Sequence, residues 1–352
     1  MTVTVGELKA MAASSALDFA RELAPGGHVT GKNYFTRSPW RADRRAGSFA
    51  VEIAGPKAGL WKDFSADEGG DLIDLIARAK YGGVSRAQRG DAIQWLKQRL
   101  GIAHHSPKEL SAARAQASAE KLRREALDLE AREAKARRAF EIWLSGKPLG
   151  GTLGEVYLRA RGVEAGSIPN LSNTVRFVER LDYWRGGERH VGPAIVGRYR
   201  RIDGTPAGSI HGTWLSRDGL RKADLRRAKL SLGEYKGCFM PICRGETGAE
   251  VWDGAAPGPL IVTEGPEDAW TEAYAAPDLR VWAAGSLSNI GNLPWSPSIS
   301  AFLVVRQNDW ATLAAVKAFE RAIEALRRHP CPVEIIGVGL GKDPNDQLRR
   351  IR

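Results

Sequence analysis

The chain has 352 residues, 43% of them hydrophobic and 26% charged, the make-up of a globular protein of two or three compact units. No apolar run approaches eighteen residues, and Met1-Thr-Val-Thr-Val-Gly-Glu7 lacks the basic and apolar blocks of a secretory leader, so neither membrane spanning nor export is expected and the location read is cytoplasmic. The formal net charge of +11 favours polyanionic partners, nucleic acid first among them. Three cysteines (Cys238, Cys243, Cys331) at no metal-type spacing argue against a disulfide framework and a zinc cluster.

In chain order, the pattern predicts a helix through Leu17–Leu23, short β pieces between Asn33 and Lys62 (Ser48–Ile53 the clearest), then helices from Asp71 and from Asp91 to Leu100. Residues 106 to 144 are mostly Ala, Glu, Lys and Arg. They open with Ser106-Pro-Lys-Glu109, a capping box with Pro at the first helical position, and predict one long, solvated spacer helix. Thr152-Leu-Gly-Glu155 reads as a second capping box, opening a short helix that ends near Gly162. Asp203-Gly204 between two apolar runs (192–200 and 207–215) predicts a β-hairpin. From Pro259, strand-length runs at 260–263, 281–284, 302–305 and 333–338 alternate with helices at 267–275 and 311–328. That alternation predicts a small parallel sheet flanked by helices.

Ligands of such sheets bind beyond the carboxyl ends of the strands. Glu264 directly follows the first of these strands, and Asp268 lies on the first turn of the next helix. Asp309 follows the third strand, and Asp343 follows the fourth. Acids at helix starts also serve the dipole, and for Asp268 alone the two readings are equal. Carboxylate oxygens gathered from several strand ends suit Mg²⁺ or Mn²⁺. Upstream, seven basic residues (Arg217, Arg221, Lys222, Arg226, Arg227, Lys229, Lys236) face only three acids (Asp218, Asp224, Glu234), a balance suited to phosphates.

These segments resemble the Toprim domain shared by bacterial primases, topoisomerases and some nucleases. Its pattern is a strand ending in Glu-Gly with an Asp three residues beyond the Gly, a second strand ending in Asp-x-Asp, and a Gly-x-Asp-Pro-type segment. Glu264-Gly265-Pro-Glu-Asp268, Gln307-Asn308-Asp309 and Gly341-Lys-Asp343-Pro344 fill those places. One departure is Gln307, which stands where the pattern has its first Asp of the pair. Tyr157-Leu-Arg-Ala-Arg-Gly162, the hairpin strand carrying Arg198, and Lys229-Leu-Ser…Lys236-Gly resemble the catalytic core of bacterial and phage-type primases. Ser38-Pro-Trp-Arg41 and Gly69-Gly-Asp71 look like a primase zinc-binding domain whose Cys-Pro-x-His and Cys-x-x-Cys ligands are gone. Residues 31–80 contain neither Cys nor His, so no zinc is expected there.

The resemblance implies an α/β and α+β multidomain chain. A zinc-finger-like DNA-binding domain without metal ligands spans 1–104, a charged helical linker 105–148, the N-terminal half of a primase core 149–258, and a Toprim domain 259–352. It implies a DNA primase, a nucleotidyltransferase making short RNA primers on single-stranded DNA for phage or plasmid replication. Its catalytic residues would be Glu264, Asp309, Lys229 and Lys236. Glu264, Asp309, Asp343 and Asp268 would hold Mg²⁺ or Mn²⁺. Arg198, Arg226, Arg227, Lys229, Lys236 and Lys342 would meet nucleotide or template. Trp40, Trp61, Phe49 and Phe64, interleaved with Arg37, Arg41, Arg44, Arg45 and Lys62, would bind DNA by stacking and charge, or equally form the small core that replaces the zinc, a reading that suits Phe49 and Phe64 somewhat better. The implied partners are a single-stranded DNA template, ribonucleoside triphosphates and, with no Walker-type segment present, a separate replicative helicase. A weak nucleic-acid-binding accessory protein with its metal site disabled by Gln307, or a Toprim nuclease, are the alternatives.

Overall fold

The computed structural model describes residues 3–43, 46–102, 105–185, 188–308, 313–337, 339, 341 and 343–351. The described backbone forms two compact units, residues 1–131 and 132–352. The division falls inside one long helix and not at either end of it. Among the described residues no helix is long and apolar enough to cross a membrane.

The first unit begins with helices α1 (Val5–Ala12) and α2 (Ala16–Leu23). The former went unpredicted although Thr4 and Glu7 form a full capping box. Five short strands follow: β1 (His28–Thr30), β2 (Asn33–Thr36), β3 (Phe49–Glu52), β4 (Trp61–Asp63) and β5 (Glu68–Gly70). They pair antiparallel in sequence order. Helices α3 (Leu72–Tyr81) and α4 (Arg86–Arg99) close the unit over a core of Leu8, Phe19, Phe49, Trp61, Leu75 and Ile76. α5 (Pro107–Ser145) starts at the expected box, with the Ser106 N–H donating to Glu109 at 2.7 Å.

The second unit holds two sheets. α6 (Leu153–Ala160) precedes a four-stranded antiparallel sheet of β6 (Val175–Asp182), β7 (Val191–Arg200), β8 (Pro206–Trp214) and β9 (Lys229–Leu232). The predicted capping box at α6 takes another form. Thr152 Oγ1 accepts from the Gly154 N–H at 3.1 Å, and Glu155 reaches back to the Gly151 N–H at 2.7 Å. The Asp203-Gly204 hairpin is as expected: Gly204 has φ +79°, a conformation costly for other residues, and Asp203 accepts from the Thr205 N–H at 2.9 Å. One face of this sheet packs Val196, Ile210 and Trp214 against Ala139 and Trp143 of α5. The last two turns of the supposed spacer are therefore core, because the sheet needs its second face covered.

The other sheet is built from β10 (Met240–Arg244), β11 (Gly258–Thr263), β12 (Arg280–Ala283), β13 (Ile299–Arg306) and β14 (Val333–Gly337), in the order β10-β12-β11-β13-β14. β11, β12, β13 and β14 pair parallel as expected. β10 comes from upstream of the predicted boundary and pairs antiparallel with β12. Helices α7 (Pro266–Ala275), α8 (Leu287–Ile290), α9 (Leu313–Leu326) and α10 (Pro344–Ile351) connect and cover the strands. After β12, Gly285 comes close to β7 of the other sheet: with φ +85°, a Cβ there would stand 2.0 Å from the Tyr199 hydroxyl.

Candidate functional site

Three loops at the carboxyl ends of the parallel strands meet, as the alternating pattern predicts. Glu264 ends β11 half-buried, its carbonyl accepting from the Gly285 N–H at 2.7 Å. Gly265 then caps α7, and Pro266 takes the first helical position, where its missing N–H costs nothing. Asp268 on that first turn is buried and accepts from the Gln307 amide, which follows β13. The next residue, Asn308, donates to the Gly341 carbonyl at 3.2 Å, which draws the loop before α10 into the same place. Asp343 caps α10 by accepting from the Asp346 N–H at 2.8 Å.

Burial drives the Asp268 carboxyl up to about 7, and the nearby charges of Asp343 and Glu267 add to that shift against the Gln307 hydrogen bond. Oxygen donors with surplus negative charge fit a hard divalent cation. Among the described residues no three His, Cys, Asp or Glu side chains form a group that could hold a metal ion. Asp309, expected to complete the set, lies outside the described residues, as do Lys342, Arg44 and Arg45.

The basic side of the site is centred on a residue the sequence reading passed over. Glu267, only 6% exposed, lies within reach of three cations: Lys229 at 2.7 Å, Lys222 at 3.4 Å and Arg161 at 3.4 Å. The fully buried Tyr157 donates its hydroxyl to the same carboxylate. Burial acts to raise the Glu267 carboxyl, but Lys229, Arg161 and Lys222 outweigh it and hold it far below the usual range. Burial likewise acts against the Lys229 ammonium, and Glu267 more than offsets it. Tyr157 is pushed well above its ordinary value by burial and by the Glu267 charge. The signal that could have found Glu267 is the Tyr-Leu-Arg-x-Arg helix, whose Tyr and last Arg both aim at an acid.

Lys229 heads β9, so its neighbours on that face are set by register: Thr213 opposite it, and His211 opposite Ser231. Ser231 bridges His211 Nδ1 (3.3 Å) and the Tyr199 hydroxyl (3.0 Å). Burial, with the Lys229 charge beside it, pushes His211 down to about 4.

Other expected site residues fall elsewhere. Arg198 alternates onto the opposite face of β7, its guanidinium 4.5 Å over the Trp143 ring, where burial and the charges of Arg200 and Arg176 push it down to about 10. It is part of the packing against α5 and does not join Lys229. Lys236, Arg226 and Arg227 are exposed.

In the first unit the stacking expectation needs correction. Trp61 is buried, ring to ring with Phe49 at 5.4 Å, and its indole N–H donates to the Asp71 carbonyl. Trp40 is half-buried under Arg78, whose guanidinium stands 4.5 Å from its ring. Phe64, expected in the core, is 53% exposed, because the turn after β4 points it outward. Arg41 is held by Asp43 at 2.7 Å and by fully buried Asp63 at 3.1 Å. Arg37 is exposed, and Lys62 pairs with Asp67 at 2.7 Å.

A pH dependence follows from Asp268. A carboxyl raised from near 3.8 to about 7 contributes stability fully below the lower value, lost as pH rises through the higher. Asp268→Asn should therefore stabilise the second unit by about 2 kcal/mol at pH 8 and by little at pH 4. Calorimetry at the two pH values checks this; equal gains at both would contradict it.

Residues 259–351 match the Toprim domain, a stretch that includes β11, followed by Glu264, and α7, which carries Asp268. Residues 133–242 match a domain of unknown function (DUF7146). Among solved structures, the chain is similar to the primase fragment of the bacteriophage T7 primase-helicase protein. The identity is 18% and the TM-score 0.37, over 55% of this chain and 67% of that one. It is similar too to a DNA primase domain from Pseudomonas aeruginosa (16% identity, TM-score 0.40, 63% of this chain and 74% of that one). For the E. coli primase catalytic core the values are 15%, 0.41, 62% and 75%. No curated protein matches the chain.

Proposed function

We propose that the chain is a DNA primase that joins ribonucleotides on a single-stranded DNA template, in phage or plasmid replication. The observation that carries this reading is the contact of Lys229 with Glu267, which sets a basic strand against the acidic turn of the Toprim domain. A nucleotidyl transfer needs both signs side by side, cations for the triphosphate and carboxylates for the metal that accompanies it. Glu264, Asp268 and Asp343, with Asp309, are the residues that would hold Mg²⁺ or Mn²⁺. Such an ion, when bound, supplies charge neutralisation at phosphate oxygens and lowers the pKa of a coordinated hydroxyl. Lys229, Lys222 and Arg161 orient and neutralise phosphate, and the preformed ion pairs spare the reorganisation that water would require. A separate helicase would open the duplex.

The test is incorporation of labelled ribonucleotides on single-stranded DNA with Mg²⁺ or Mn²⁺. Template-dependent product supports the primase; tight single-strand binding with no product sinks it. A second reading has one observation in its favour: Gln307 donates to Asp268 where the Toprim pattern has an acid, which suits a DNA-binding accessory of low catalytic power. Cleavage of DNA without nucleotides would point to a nuclease.

A further inference from the structure

Glu267 is placed as few carboxylates are. Both its oxygens are engaged, Oε1 by Tyr157 and Arg161, Oε2 by Lys222 and Lys229. A single buried charge gathers three opposite ones, so the cluster keeps a surplus of positive charge even though its centre is neutralised. The carboxylate is closed in, but its partners are not: the side chains of Lys229, Lys222 and Arg161 are 41%, 37% and 22% exposed. Each ammonium has three donors and the guanidinium five, so most donors remain for something on the open side. On β8 beside Lys229, Thr213 Oγ1 and His211 Nε2 are buried without a hydrogen-bond partner among the described residues. Buried polar groups of this kind call for a partner, whether water, an ion or a ligand.

We propose that Glu267 is a positioning residue: from inside the protein it holds Lys222, Lys229 and Arg161 as a preformed cradle for a phosphate group. It deepens the nucleotidyl-transfer reading above, since that reading supplies two sources of phosphate: the triphosphate of a nucleotide and the backbone of the template. A carboxylate that merely masked the cations would have to leave when phosphate arrived. Glu267 does not, because leaving would strand the Tyr157 hydroxyl, which is fully buried. The negative charge thus favours phosphate binding, by keeping three mutually repelling cations within reach of one anion.

The prediction runs against simple charge counting. Glu267→Gln makes the cluster more positive, yet it should weaken binding of phosphate by roughly tenfold at physiological ionic strength. Glu267→Asp, which keeps the charge, should retain part of the affinity. Titration calorimetry of the full chain with inorganic tripolyphosphate and, separately, with an oligothymidylate measures this. Loss confined to tripolyphosphate assigns the cradle to the nucleotide, and loss confined to the oligonucleotide assigns it to the template. Unchanged or tighter binding of both overturns the proposal, as does a wild-type chain that binds neither. If Glu267→Gln fails to fold, Lys222→Ala tests the same cradle from its exposed side, and unaltered affinity there overturns the proposal equally. A chain that makes no primers yet loses tripolyphosphate binding in Glu267→Gln would end the primase reading and leave the cradle standing.

Discussion

Glu264→Ala should lower template-directed ribonucleotide incorporation by a factor of about 10³ in a second unit that still folds. Glu264 sits half-buried at the end of β11, where its backbone already satisfies the Gly285 N–H through the carbonyl. The substitution leaves that hydrogen bond in place and removes a carboxylate from the acidic turn. The loss should fall mainly on kcat, since the group acts on charge that develops during transfer. Labelled-nucleotide incorporation beside a thermal melt decides it. Full activity in the variant would move the catalytic centre away from this strand end.

Asp63→Ala should destabilise the first unit by about 3 kcal/mol, and chelators should leave that unit's transition unmoved. Asp63 is fully buried and accepts from the Ser65 and Ala66 N–H groups at 3.0 and 3.1 Å as well as pairing with Arg41. Arg41 in turn clamps Asp43, which also receives the Ser38 N–H and the Ser48 hydroxyl. Ser38, Arg41 and Asp43 lie in the segment after β2, and Asp63 ends β4. An ion-pair network therefore ties these two segments together. Removing the acid leaves the Arg41 guanidinium with one partner fewer in a half-buried setting, which is the costly direction of the change. Calorimetry with and without EDTA tests both halves of the expectation. A chelator-sensitive transition would contradict the network.

The parallel sheet was legible because its strands are short apolar runs that alternate with helical stretches. The acidic turn was legible because Glu264-Gly265…Asp268 lies at a strand end, where position alone confers meaning. Other features were hidden for physical reasons. Glu267 carries no mark in sequence that separates it from a dipole partner; only folding brings Tyr157, Arg161, Lys222 and Lys229 to it from three segments. Arg198 and Lys229 are both basic residues on strands, but alternation across the sheet sends them to opposite faces, and a two-residue period read without a register cannot say which. The alternation of aromatic and basic residues around Trp61 suits a stacking surface and a core position alike. The five short strands needed a core, and Trp61 is the side chain large enough to fill it with Phe49.

The strand β10 has a bearing on how the chain can be divided. The match to the domain of unknown function stops at residue 242, in the middle of this strand, and the Toprim match starts at 259, past its end. Yet Met240–Arg244 forms the border of the Toprim sheet, covering the outer rim of β12 from Arg280 to Ala283. A fragment cut at 259 would bare a row of backbone donors and acceptors, flanked by the buried Val281 and Trp282, to any passing strand. The two family descriptions thus meet inside one compact unit, and excision at their seam would leave an unpaired strand edge open to self-association.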